Sequence, residues 1–272
     1  MQASGPLLLI GCGKMGGALL SGWLDHGVPP ETVHVVEPGA AALQPFAGKP
    51  LHRHGTLAEA PDDLAPAVVM LAVKPQMMDE ALKGLERFAT PGTVFLSIAA
   101  GKTLAYFEER LGPEAAIVRA IPNTPAAVGR GMTVLCANSR VSTEQRKLCE
   151  SLSRAVGEAD WVEDEGLLDV VTAVSGGGPA YVFLLTECLA KAGERLGLAP
   201  ELALRLARET VAGSGELLHR AEEHPSVLRQ NVTSPAGTTL EALNVLMAEG
   251  ALEALMAEAI AAATRRSREL AS

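Results

Sequence analysis

Four apolar residues, Leu7-Leu8-Leu9-Ile10, lead directly into Gly11-Cys12-Gly13-Lys14-Met15-Gly16-Gly17, and an apolar-periodic stretch follows. The order is buried strand, tight glycine turn, helix start, and few folds accommodate it. Gly11 suits the turn, Gly13 lets backbone approach a phosphate, and Gly16 lets the helix pack closely on the strand. The unpaired N–H groups of the first helical turn and the helix dipole then face an anion. A bare GxGxxG also fits an ordinary βα turn, so the flanking sequence decides. A second apolar strand, Thr32-Val33-His34-Val35-Val36, ends at Glu37, whose carboxylate can accept a ribose hydroxyl. This context points to dinucleotide binding by Gly11, Cys12, Gly13, Lys14, Met15, Gly16 and Glu37.

The same alternation continues. Strands are expected at 7–10, 32–36, 68–73, 93–98, 115–120 and 132–137, and helices at 14–26, 76–88, 103–111 and 143–153, the last with a capping box from Ser142 and Gln145. Near-continuous apolar strands separated by helices imply a doubly wound, mainly parallel sheet covered on both faces. After residue 163 the strand signal stops. Helices are expected near 165–174, 179–196, 200–222, 225–230, 239–248 and 250–270, with Gly197 ending one and Pro200 opening the next. The expected architecture is therefore a Rossmann-type α/β domain over 1–162 and an all-helical domain over 163–272. Several of the later helices are apolar on more than one face, which calls for burial against a second subunit.

Composition narrows the partners. The 272 residues carry a net charge of −9, and the densest cationic run is Arg265-Arg266-Ser267-Arg268, suited to a helix end. Nucleic acid and anionic membrane are poor partners for such a surface. A basic-then-apolar leader is not found and no apolar run reaches about 20 residues, so the expectation is a cytoplasmic protein outside the membrane. Cys12, Cys136, Cys149 and Cys188 lack CxxC spacing and read as reduced thiols. His26, His34, His52, His54, His219 and His224 show no metal-ligand spacing, so no metal is expected. Ser97 and Ser175 lack a nucleophile elbow. Glu163-Asp164-Glu165 reads as a helix start complemented by negative charge.

Four phrases remain with chemical potential. Ala72-Val73-Lys74-Pro75-Gln76 closes a strand whose carboxyl end faces the ligand crevice of a doubly wound sheet. Arg119-Ala120-Ile121-Pro122-Asn123-Thr124-Pro125 gives a stiff loop on the same side, and its amide can hold a carboxamide such as nicotinamide. Ser175-Gly176-Gly177-Gly178-Pro179-Ala180-Tyr181 is a joint or an anion-facing helix start. Asn231-Val232-Thr233-Ser234-Pro235-Ala236-Gly237-Thr238-Thr239 crowds hydroxyls into one turn. Thr238 with Glu241 matches a capping box, yet Thr233, Ser234 and Thr239 are better explained by a bound carboxylate.

Taken in order, these phrases and the glycine turn resemble pyrroline-5-carboxylate reductases along nearly the whole chain. The resemblance implies reduction of the cyclic imine 1-pyrroline-5-carboxylate to proline with NADPH or NADH. It implies cofactor contacts at Ala72, Val73, Lys74, Pro75, Pro122 and Asn123 in addition to the glycine turn. It places substrate contacts at Ser175, Ser234, Gly237, Thr238 and Thr239, with the Thr239 hydroxyl near the ring nitrogen as the catalytic group. It also implies a homodimer through the C-terminal helices, in some members assembled into larger rings. Two positions depart from the family pattern. Ala236 replaces a glycine, which is mild if φ stays negative, and Glu37 is repulsive to a 2′-phosphate, which favours NADH.

Two rivals share part of the pattern. A β-hydroxyacid dehydrogenase or related imine reductase carries a lysine four residues past the interdomain glycines, where this chain has Val182, and the first lysine of that helix is Lys191. A non-catalytic dinucleotide sensor has no use for a hydroxyl-rich carboxylate turn, and a DNA-binding one needs a basic helix.

Overall fold

The computed structural model describes residues 5–271. Residues up to Gly176, together with the stretch from Ala263, form one compact unit, and Gly177–Ala262 form a second.

The first unit is built on an eight-stranded sheet in the order β3-β2-β1-β4-β5-β6-β7-β8. Its strands are β1 (Leu7–Ile10), β2 (Val33–Val36), β3 (His52–His54), β4 (Val68–Leu71), β5 (Val94–Ser97), β6 (Ala116–Ile121), β7 (Gly131–Ala137) and β8 (Gly157–Trp161). All neighbours run parallel except β6 and β7, which are antiparallel. Strand side chains alternate between faces, and here both faces are dry. Leu7, Leu9, Val68, Met70, Val94 and Leu96 enter one core with Trp23 and Leu20. Leu8, Ile10, Val69, Leu71 and Phe95 enter the other with Met78, Phe88 and Phe107.

Helices α1 (Lys14–Asp25), α2 (Met78–Ala81), α3 (Leu104–Leu111), α4 (Thr143–Arg154) and α5 (Leu167–Val171) complete this unit with the end of the last helix. The capping box of α4 forms as expected, Gln145 N–H to Ser142 Oγ and Ser142 N–H to Gln145 Oε1. The helix expected over 76–88 does not form as one piece. A 3-10 turn at Pro75–Met77 leads into α2, and Gly84 at φ 79° breaks the run before a second 3-10 turn at Glu86–Phe88. Two strands lie outside the expected set. β3 reads His-Arg-His and β8 buries only Ala159, so both are edge strands without an apolar run to mark them.

The sheet unit extends past residue 162. Leu168 of α5 packs with Ile121, Val134 and Cys136, and Asp169 accepts a hydrogen bond from Ser267 Oγ at 2.6 Å. A π-helical turn, Thr172–Gly176, ends this segment.

The second unit holds α6 (Gly178–Arg195), α7 (Pro200–Arg220), α8 (Pro225–Asn231), α9 (Thr238–Leu246) and most of α10 (Ala251–Ala271). α6 and α7 form a hairpin. Leu198 N–H bonds Gly193 O and Gly197 N–H bonds Glu194 O, the paired closure of a Schellman turn, and Pro200 opens α7 at its first position. Large apolar side chains stay uncovered here: Phe183 is 63% exposed, Leu255 62% and Val245 72%. The helical stretch Leu167–Arg195 is long and apolar enough to cross a membrane by length and composition. This corrects the expectation that no stretch reaches that length. The sequence reading split the run at Ser175–Pro179, and the structure likewise ends the π turn at Gly176 and starts α6 at Gly178 after a bend at Gly177.

Candidate active site

The three glycines of the turn carry three separate geometric demands. Gly11 sits at φ 91°, and a Cβ there would lie 2.9 Å from both Ala72 O and Val73 Cγ1. Its N–H bonds Val36 O at 2.9 Å, so the turn is fastened between β2 and the end of β4. A Cβ on Gly16 would overlap Gly11 O, so only glycine lets α1 start this close to the strand. A Cβ on Gly13 would meet nothing within 4 Å, which leaves the outer side of the turn open to a ligand. Gly13 is the N-cap and makes no side-chain bond, so the N–H groups of Lys14, Met15 and Gly16 have no helical acceptor. These features fit a dinucleotide pyrophosphate.

Glu37 is brought to the same place. Its carboxylate accepts Cys12 N–H at 2.7 Å and Gly39 N–H at 2.8 Å. Burial and then the nearby Glu37 charge push the Cys12 thiol up to about 11, so it stays protonated at neutral pH and is no nucleophile. Ala72 N–H bonds Ile10 O at 2.8 Å, which aligns the end of β4 with the glycine turn, and Lys74 precedes Pro75 at the start of the next turn.

The loop after β6 behaves differently from the expectation. The Asn123 side chain is engaged at both ends inside the protein. Its Oδ1 accepts Met132 N–H at 2.9 Å and its Nδ2 donates to Ser175 O at 3.1 Å. Asn123 thus meets Ser175, whose own Oγ donates to Val171 O, and Pro122 directly precedes Asn123 in the chain. Two residues before this loop's start at Ile121, Arg119 is buried and pairs with Glu165 at 2.5 Å. Glu165 also accepts Leu104 N–H at 2.7 Å. Glu165, expected to be structural at a helix start, is structural and in addition links, half-buried, to Arg119 and the start of α3. A single arginine inside an otherwise apolar strand was the available signal.

Within the helical unit the hydroxyl-rich turn joins α8 to α9. Thr233 Oγ1 donates to Arg229 O at 2.6 Å, and Gly237 N–H bonds Ser234 O at 3.1 Å. A Cβ on Gly237 would collide with Ser234 Oγ. The expected capping box of Thr238 and Glu241 is absent. Gly237 is the N-cap and Thr238 is already the first helical residue, so its hydroxyl is not aimed at the N3 amide. Ser234, Thr238 and Thr239 are exposed, and the first N–H groups of α9 lack helical acceptors. Ala236 has φ 57°, a left-handed conformation, contrary to the mild replacement anticipated for a negative φ.

The histidines that showed no mutual spacing also converge in part. His34, His52 and His54 stack on one face of the β2–β3 edge, with His34 Nδ1 3.1 Å from His54 Nε2. Among the described residues, no group of three or more histidine, cysteine or carboxylate side chains is arranged to hold a metal ion.

A family model for pyrroline-5-carboxylate reductase dimerisation matches residues 165–270, and one for NADP oxidoreductase, coenzyme F420-dependent, matches residues 7–101. A pyrroline-5-carboxylate reductase of Pseudomonas aeruginosa is 41% identical over 266 residues, covering 97% of this chain and 96% of that protein. The chain belongs to the pyrroline-5-carboxylate reductase family. The solved pyrroline-5-carboxylate reductase of Coxiella burnetii superposes with a TM-score of 0.91 at 36% identity, covering 99% of each chain. That of Plasmodium falciparum, solved with NADP bound, gives 0.80 at 28% identity over 100% of each chain. The dimerisation match covers the stretch that carries the uncovered apolar helices. The lysine of the rival dehydrogenases has no counterpart, since Val182 is exposed at that position and Lys191 pairs with Glu187 on the same helix.

Proposed function

We infer that this chain, as a homodimer, reduces 1-pyrroline-5-carboxylate to proline with a reduced nicotinamide dinucleotide. Family membership supplies the reaction, and the observation that carries the cofactor half is the glycine turn, open at Gly13 and flanked by Glu37. Gly11, Cys12, Gly13, Lys14, Met15 and Gly16 hold the pyrophosphate through backbone N–H groups. Glu37 accepts the adenosine ribose hydroxyls, and its charge favours NADH over NADPH. Ala72, Val73, Lys74, Pro75 and Pro122 line the rest of the crevice, and Asn123 joins them through its backbone, its side chain being taken by Met132 and Ser175. When bound, the reduced nicotinamide supplies a hydride for the imine carbon.

The chain's own task is then to bind, orient and manage one proton. Ser234, Gly237, Thr238 and Thr239 hold the substrate carboxylate, with Ser175 as a further contact. Support comes from the acceptor-free N–H groups at the start of α9 and the exposed hydroxyls around them. Thr239 is the catalytic residue, its Oγ1 bonded to the ring nitrogen and holding the proton there. The dimer forms through the helices over 163–272, as the exposed Phe183, Val245 and Leu255 support, and dimers assemble into a larger ring. The free thiols of Cys12, Cys136, Cys149 and Cys188 favour a reducing, cytoplasmic setting.

The test is loss of reduced-nicotinamide absorbance on adding 1-pyrroline-5-carboxylate, with NADH and NADPH in parallel and Thr239→Ala beside the wild type. Substrate-dependent oxidation is expected, faster with NADH, and Thr239→Ala lowers turnover about tenfold or more with dinucleotide affinity unchanged. A folded, dinucleotide-binding wild type that oxidises neither cofactor overturns the reading.

A further inference from the structure

In an α-helix the Ser175 carbonyl would accept the N–H of residue 179, but residue 179 is Pro179, which has none. The i→i+5 partner offered by a π turn, Ala180 N–H, is already bonded to Gly177 O at 3.0 Å. The carbonyl is therefore orphaned by the local sequence, in a half-buried position where an unpaired acceptor is costly. Asn123 Nδ2 supplies the missing donor at 3.1 Å from 52 residues away in the chain. The other end of the same amide accepts Met132 N–H at the start of β7. One side chain thus ties the loop after β6, the strand β7 and the π-helical turn Thr172–Gly176 together. π turns recur at functional sites because they displace carbonyls and side chains from helical register.

We propose that Asn123 is a positioning residue for imine reduction, holding Ser175 and its π-helical turn in register with the Pro122–Pro125 loop through the Nδ2–carbonyl bond. The inference rests on the reductase reading above and deepens it. The amide acts between two parts of the protein and does not bind the nicotinamide carboxamide. Its loss lets the 172–176 turn relax, and turnover suffers while dinucleotide affinity does not.

Asn123→Asp isolates the critical bond. The carboxylate is nearly isosteric and still accepts Met132 N–H, but it cannot donate to Ser175 O, and it repels that carbonyl. When protonated, the carboxyl regains a donor. Expected at pH 8 is a kcat about tenfold or more below wild type, since small misplacements of reacting groups are costly, with the dissociation constant for NADH within about twofold. The ratio of variant to wild-type kcat rises as the pH is lowered toward 5.5, whereas Asn123→Ala shows no such recovery. Hydrogen exchange across residues 172–182 is faster in Asn123→Asp than in wild type at pH 8. Wild-type exchange in that segment overturns the inference whether or not the protein reduces the imine. A variant that loses NADH affinity about tenfold or more, or whose kcat deficit is independent of pH, overturns it as well. An inactive wild type counts against the reductase reading alone and leaves the exchange measurement to judge Asn123. Should Asn123→Ala fail to fold, the Asp variant carries the test.

Discussion

Glu37 Oε2 lies 2.7 Å from the backbone nitrogen of Cys12, so the acid that ends β2 is fastened to the second residue of the glycine turn. Gly39 N–H holds its other oxygen, and a Cβ at residue 39 would come within 2.9 Å of that oxygen. The carboxylate is thereby fixed beside the glycine turn, and it cannot swing away without leaving two amides unpaired.

Cofactor choice should follow this one carboxylate. Glu37→Ser is expected to raise kcat/KM for NADPH relative to NADH by about tenfold or more, because a negative charge facing the 2′-phosphate is removed. Steady-state kinetics with both cofactors gives the ratio. An unchanged ratio would remove Glu37 from cofactor discrimination.

Gly13 and Gly16 should respond to alanine in opposite ways. Gly13→Ala meets no protein atom within 4 Å, so the variant keeps wild-type melting but binds dinucleotide about tenfold or more weakly. Gly16→Ala drives its methyl into Gly11 O and lowers the melting temperature. Calorimetry paired with dinucleotide titration separates the two, and equal melting losses would contradict the geometry.

Ala236 offers a route to a more stable protein. At φ 57° an alanine costs about 1–2 kcal/mol, of which the extra freedom of an unfolded glycine returns about 0.4–1. Ala236→Gly is expected to stabilise the protein by about 0.5–1 kcal/mol in denaturant titration, and Ala236→Val to destabilise it. Destabilisation by glycine would show that the left-handed turn is not strained.

The histidine cluster sets a pH limit on stability. Burial, then the charges of His52 and His54, lower the His34 pKa to about 4. Burial and His52 also lower His54, against a smaller opposing pull from Glu59. Folded His34 is neutral, while the unfolded chain takes up a proton near the ordinary value of 6.5. Stability is therefore full above about pH 6.5 and declines as the pH falls from there toward 4. The decline in melting temperature over that window should be shallower in His34→Gln. Equal slopes in the two proteins would exclude His34 as the cause.

How much of this was written locally in the chain differs by element. β1, its glycine turn and α1 were legible because strand burial, turn and helix start each depend on neighbours within a few residues. β3 and β8 were not, since each is an edge strand defined by its partner and not by an apolar run of its own. Glu165 was legible as a helix-start acid, but its partner Arg119 lies 46 residues earlier and is brought to it only by the fold. The hydroxyl-rich turn was found by composition, but its cap was misassigned. Spacing alone cannot tell that Gly237 has taken the N-cap and carried Thr238 into the helix. Asn123 shows the limit most clearly, because the need it meets is created by Pro179 and becomes visible only when the carbonyl of Ser175 has a position.

The last turns of α10 also return to the sheet unit, where Ser267 bonds Asp169 and a Cβ on Gly101 would lie 2.9 Å from Leu270 O. Protein synthesis proceeds in the opposite order. A ribosome that has finished the sheet strands still has to make the whole helical unit before the residues that dock on Asp169 and Gly101 emerge. The nucleotide unit is thus open along that surface throughout translation, and its final closure coincides with completion of the helical unit.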